Sequence, residues 1–165
     1  MNKFESLVDE YYKRVPITID KRMPIGLSGI YTSFHGILLN ANLTQNEYHS
    51  VLAEEIGHYE TTAGDIIDLT NVQNKKLEII ARRWGYKKIV TLDDLIECYE
   101  KYITTVEEIC AHLEIVPDFL EECLVHYRQQ YGQDVFYEDY LIILDPLDIK
   151  RKKDLKKNKK NEFRY

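Results

Sequence analysis

Ala53-Glu54-Glu55-Ile56-Gly57-His58 is the stretch on which the reading of this chain turns. It has the form of the zinc-binding helix pattern H-E-x-x-H, with glutamate in place of the first histidine. Residues four apart on a helix project from one face and can share a metal ion, while a glutamate beside the first ligand activates water. Glu54 and His58 therefore occupy the two ligand positions and Glu55 the base position. A carboxylate is a legitimate zinc ligand, so the substitution leaves the pattern chemically coherent. Gly57 is informative too, because glycine inside a helix costs about 1 kcal/mol relative to alanine. That cost is tolerated where a side chain would block another element or a substrate. The competing reading of the same residues is an acidic pair on a solvated helix face.

Working outward, Thr44-Gln45-Asn46-Glu47 forms a capping box, from which a helix runs through the motif toward a stop at Gly64. Upstream, Phe4, Leu7, Val8, Tyr11 and Tyr12 have helical spacing over residues 3–13, ended by Pro16. Residues 17–20 suggest a short extended piece, and 27–33 with 36–40 a small antiparallel hairpin. Downstream, residues 77–90 are helical again, with Leu77, Ile80, Ala81, Trp84 and Ile89 on the apolar face. Thr91-Leu92-Asp93-Asp94 marks a fresh N-terminus, with acidic residues favoured by the helix dipole. Helices are expected around 92–102, 105–113 and 117–131, the last opening at Pro117. Residues 135–144 suggest a strand or an irregular segment. Beyond Pro146 the lysine run has too few apolar residues to bury, so disorder is expected there.

The helix after the motif carries Glu78-Ile79-Ile80-Ala81-Arg82-Arg83-Trp84-Gly85. Glutamate-type zinc peptidases take their third ligand from a glutamate on the helix after the motif. Glu78 follows His58 by 20 residues, enough for a loop and an antiparallel return. The small Ala81 would allow close packing of the two helices. The alternative for Glu78 is a surface residue paired with Arg82 at i+4.

On these residues, chiefly 51–59 and Glu78-x-x-Ala81-Arg82-Arg83-Trp84, the chain resembles the ImmA/IrrE family of metallopeptidases over roughly residues 5–131. The segments Leu92-Asp93-Asp94-Leu95-Ile96 and 106–131 are similar to its phage and mobile-element branch. The resemblance implies an α+β fold: a zincin-like small antiparallel sheet beside the motif helix and its partner helix, with a C-terminal helical appendage. It assigns Glu54, His58 and Glu78 as metal ligands and Glu55 as the catalytic base. The cofactor it implies is zinc, with manganese or another divalent cation as an alternative. It further implies a metal-dependent endopeptidase acting on a phage-type repressor or other regulatory protein. The alternative it leaves is a catalytically weak or inactive relative that binds and sequesters its repressor. Most of the family has histidine where this chain has Glu54. The expected organisation is a peptidase core over 1–90, a helix-turn-helix-like appendage over 91–132 and a C-terminal extension with a basic tail over 133–165.

Charge and composition narrow the partners. The chain has 165 residues, 44% hydrophobic and 30% charged, with a net charge of −6. Residues 150–165 carry +7, which leaves −13 on residues 1–149. Segment 105–131 has a helix-turn-helix spacing, yet Asp118, Glu121 and Glu122 stand where a DNA reader needs basic residues and would be repelled by phosphate. Direct nucleic-acid binding is therefore not expected. No apolar run approaches membrane-spanning length, and residues 1–14 are a charged amphipathic stretch rather than a signal sequence. Cys98, Cys110 and Cys123 match neither a zinc ribbon nor a disulfide framework, so free buried thiols in a reducing cytoplasm are expected. His35, His49 and His112 show no ligand spacing. Tyr59, Tyr86 and His126 are candidates for an oxyanion donor.

Overall fold

The computed structural model describes residues 1–61 and 71–155. The expected stop at Gly64 and the basic residues 156–165 lie outside them. Helix α1 (Lys3–Tyr11) begins with a capping box in which Asn2 and Glu5 satisfy each other's backbone amides, and it buries Leu7 and Tyr11. Strands β1 (Ile17–Asp20), β2 (Gly29–Thr32) and β3 (Gly36–Asn40) form one sheet in the order β1-β3-β2. The hairpin expected from the sequence is present, with β2 antiparallel to β3 from Gly29↔Leu39 to Thr32↔Gly36. The extended piece at 17–20 joins β3 in parallel, which makes this sheet mixed rather than purely antiparallel. Alternation on β3 explains the pairing: Ile37 and Leu39 are fully buried on the inner face. Gly36 sits at φ +74°, and a side chain there would collide with the Pro16 carbonyl where β1 begins. The buried Asn40 amide donates to the carbonyls of Pro24 and Leu27, pinning the connection before β2.

Helix α2 (Gln45–Thr61) starts at the Thr44/Glu47 capping box, and its motif residues Ala53, Ile56 and Gly57 are buried. Helix α3 (Asn71–Ile89) packs against it and buries Ala81, Tyr86 and Ile89. Ile80 departs from the sequence reading: it is 46% exposed, because α2 covers the stripe through Ala81 and Gly85 and residue 80 lies about 100° away around the helix.

Helices α4 (Leu92–Glu100), α5 (Val106–Leu113) and α6 (Pro117–Tyr131) follow the expected order, the first two capped by Thr91/Asp94 and Thr105/Glu108. Buried residues of all three join the same apolar cluster as Leu39 and Leu52. Polar ties reinforce that union: the Tyr127 hydroxyl donates to the Val90 carbonyl at 2.6 Å, and the Asn46 amide to the Ile115 carbonyl at 3.2 Å. Cys98, Cys110 and Cys123 are free and buried.

The C-terminal end corrects the sequence reading. Strands β4 (Asp134–Tyr137), β5 (Tyr140–Leu144) and β6 (Leu147–Arg151) form an antiparallel sheet in sequential order. Residues 147–151 are thus ordered, not a disordered start of the lysine run. Ile149 is buried and Leu147 packs on the core, a period-two pattern obscured by the charged residues 148 and 150. Arg151 pairs with Glu100, fastening β6 to α4. Among the described residues no helix is long and apolar enough to cross a membrane.

Candidate metal centre

Helix α2 presents Glu54, Glu55 and His58, and α3 returns antiparallel across it. The two helices meet through small residues. A methyl on Gly57 would overlap the Ala81 carbonyl oxygen and lie 2.8 Å from its carbon, and a methyl on Gly85 would lie 3.1 Å from the Ala53 carbonyl oxygen. Pairing 57 with 81 and 53 with 85 sets the register of the flanking polar residues. His58 falls opposite Glu78, and Glu54, one turn earlier, falls opposite Arg82. Accordingly His58 Nε2 lies 3.1 Å from Glu78 Oε2. Arg82 Nε donates to the other Glu78 oxygen at 2.9 Å. Glu78 is thus the i+4 partner of Arg82 that its spacing offered, and it also lies beside His58.

Glu54 and Glu55 are largely sheltered. Burial pushes the Glu54 carboxyl up to about 7; Arg82 opposes the shift, while Glu122 and Glu78 add to it. Burial likewise pushes Glu55 up to about 7, reinforced by the charges of Glu54 and Glu78 and opposed by the backbone amide of Tyr31. That amide comes from β2, which runs close over the motif: a methyl on Gly29 would lie 2.6 Å from Val51 Cγ1 and 3.0 Å from Glu55 Cγ. Because the Asn40 amide donates to the Ser28 carbonyl, alternation turns the amides of Gly29 and Tyr31 away from β3, toward the sheet edge. Tyr31 also stacks edge-on against Tyr59 at 5.7 Å.

The fit of this set to a divalent ion can be judged from the donors. Two ligands at zinc bond lengths of about 2.0–2.1 Å in a tetrahedron lie about 3.3 Å apart, close to the His58–Glu78 spacing. Glu54 does not complete a group of three, and no such cluster of His, Cys, Asp or Glu occurs among the described residues. The donor set fits in chemistry: one imidazole and one carboxylate adjoin, and two further carboxylates, half-buried, lie on the same helix as His58, where a cation would relieve their mutual repulsion.

Several neighbours of the candidate site escaped the sequence. Arg82 also reaches Glu122 of α6, at 3.5 Å, and Glu122 accepts a hydrogen bond from the Tyr86 hydroxyl at 2.5 Å. The i+4 spacing of Arg82 from Glu78 was legible, but nothing local links Glu122 to Arg82 across 40 positions. The Tyr86 hydroxyl is therefore committed to Glu122, as that of Tyr59 is to the Arg14 carbonyl, which removes both as ready oxyanion donors. His126 is buried beside Tyr86 on the groove between α3 and α6. His49 bonds the Leu113 and Glu114 carbonyls, and burial lowers its pKa; His112 pairs with Glu97 and His35 with Thr32.

Against this geometry the family comparison is decisive. Residues 11–124 match the family model for the IrrE N-terminal-like domain of peptidase family M78. The chain belongs to that family. No individual curated protein matches it. The M78 match runs from the end of α1 into α6 and takes in Glu54, Glu55, His58, Glu78 and Glu122, while β4–β6 lie beyond it. The domain is accordingly of metallopeptidase type.

Proposed function

We propose that this M78 protein is a metal-dependent endopeptidase that cleaves a repressor or other regulatory protein of a phage or mobile element in the cytoplasm. The observation that carries the reading is the meeting of His58 and Glu78 at 3.1 Å, from two helices, with the half-buried Glu55 on the same helix as His58. Glu54, His58 and Glu78 are the residues that would hold the ion, zinc or a harder cation such as manganese. Such an ion would supply the Lewis acidity that acidifies water and polarises a peptide carbonyl. Glu55 takes the proton from the attacking water and delivers it to the departing amine. An extended substrate would add to the β2 edge, where Gly29 turns its amide outward. That docking lays the scissile bond over the α2 face carrying Glu55.

Glu55→Gln tests this reading. It should leave metal uptake intact and abolish cleavage of the repressor; cleavage retained by that variant would remove Glu55 as the base. A second reading is favoured by one observation: Glu54 faces Arg82 and does not complete a three-donor group. On that reading the protein binds and sequesters its repressor without cutting it. Elemental analysis of the purified protein together with a cleavage assay separates the two. Stoichiometric metal with turnover supports the peptidase, and repressor binding without either supports the binder.

A further inference from the structure

Glu78 is held from two sides. One oxygen accepts from Arg82 Nε at 2.9 Å, and the other faces His58 Nε2 at 3.1 Å. Arg82 uses a different nitrogen, Nη1, to reach Glu122 at 3.5 Å. Glu122 is itself fixed by the hydroxyl of the buried Tyr86. The chain of contacts therefore runs Tyr86–Glu122–Arg82–Glu78–His58, from α3 out to α6, back to α3 and on to α2. An ordinary i+4 pair would make only the first of the Arg82 contacts.

We propose that Arg82 is a positioning residue of the metal centre. Its guanidinium clamps one oxygen of Glu78 and so turns the other toward His58, while Glu122 and Tyr86 fix the guanidinium from behind. The inference rests on the metal reading above and adds the device that presents Glu78. Two properties of arginine are required. It must bridge two carboxylates through separate nitrogens, which a lysine ammonium cannot reproduce with the same geometry. It must also leave the second Glu78 oxygen open, as outer-shell partners of metal ligands do. The coupling gives α6 a role in the site: although it contributes no proposed ligand, its Glu122 sets the orientation of one.

The test is metal affinity, read by calorimetric titration of chelator-treated full-length protein with zinc and with manganese, alongside far-UV circular dichroism. Arg82 is 41% exposed, so Arg82→Met and Arg82→Lys should fold. Both should bind roughly 10–100-fold more weakly than wild type, the loss typical of an outer-shell partner. Glu122→Gln should shift affinity in the same direction by a smaller factor, and His58→Ala should abolish binding. If Arg82→Met binds as tightly as wild type, or more tightly, while His58→Ala does not bind, the positioning role is wrong and the metal centre stands. Full affinity in Arg82→Lys would also overturn it, by showing that charge alone suffices. If wild type itself takes up neither metal, this inference and the metal reading fall together.

Discussion

Gly57→Ala probes the packing on which the candidate site is built. The added methyl would overlap the Ala81 carbonyl oxygen and lie 2.8 Å from the carbonyl carbon, against 3.4 Å or more for ordinary contact. The obstacle is backbone, so no rotamer change relieves it and α3 must move away from α2. Overpacking of this kind costs about 1–3 kcal/mol, and the backbone obstacle places this case at the upper end. Alanine recovers about 1 kcal/mol of helix propensity, leaving a net loss of about 2 kcal/mol. Urea unfolding followed by circular dichroism should show this as a lower midpoint with unchanged slope. A thermal scan should show a fall of roughly 4–8 °C for a domain of this size. Gly85→Ala is the control, since its methyl would sit 3.1 Å from the Ala53 carbonyl oxygen and needs only a few tenths of an ångström of give. Its effect should stay within about 1 kcal/mol, because propensity gain offsets the tighter contact. A Gly57→Ala protein as stable as wild type would refute a close crossing of the helices at Gly57 and Ala81. It would also undercut the register that sets His58 opposite Glu78.

Three further outcomes follow from named residues. Glu54 and Glu55 are both raised to about 7, so in chelator the folded protein binds more protons than the unfolded chain between about pH 4.5 and 7. Metal-free stability should therefore fall as pH rises through that window, by about 2–3 kcal/mol for one such group; Glu55→Gln should flatten the dependence, and a urea midpoint rising with pH would contradict the burial of the pair. On the proposed metal reading, Glu54→His would turn a formally neutral site into one of charge +1 and supply an imidazole donor, so calorimetry should show tighter zinc binding; unchanged affinity would mean that residue 54 never reaches the metal. Ile149→Ala on β6 removes a side chain only 7% exposed and should cost about 2–4 kcal/mol in urea unfolding, whereas a dispensable tail would show no loss.

The amino-acid order by itself determined the local grammar of this protein. Capping boxes at Thr44, Thr91 and Thr105, the proline opening α6 and the helical spacing of α1 are settled by residues within about four positions of one another, and the hairpin of β2 and β3 by residues no more than ten apart. The i+4 relation of Glu78 and Arg82, and the motif placing Glu54, Glu55 and His58 on one helix, belong to the same local range. Tertiary structure decided the rest, because it depends on which distant surfaces meet. The parallel addition of β1 to β3 and the ordering of β6 against β5 required partners that no local pattern names. The exposure of Ile80 and the reach of Arg82 to Glu122 followed from which stripe of α3 faces α2 and which faces α6. The crossing at Gly57 and Ala81 made the choice for the site itself. A contact between two backbones fixes a helix register, and that register alone brought His58 to Glu78 and turned Glu54 toward Arg82.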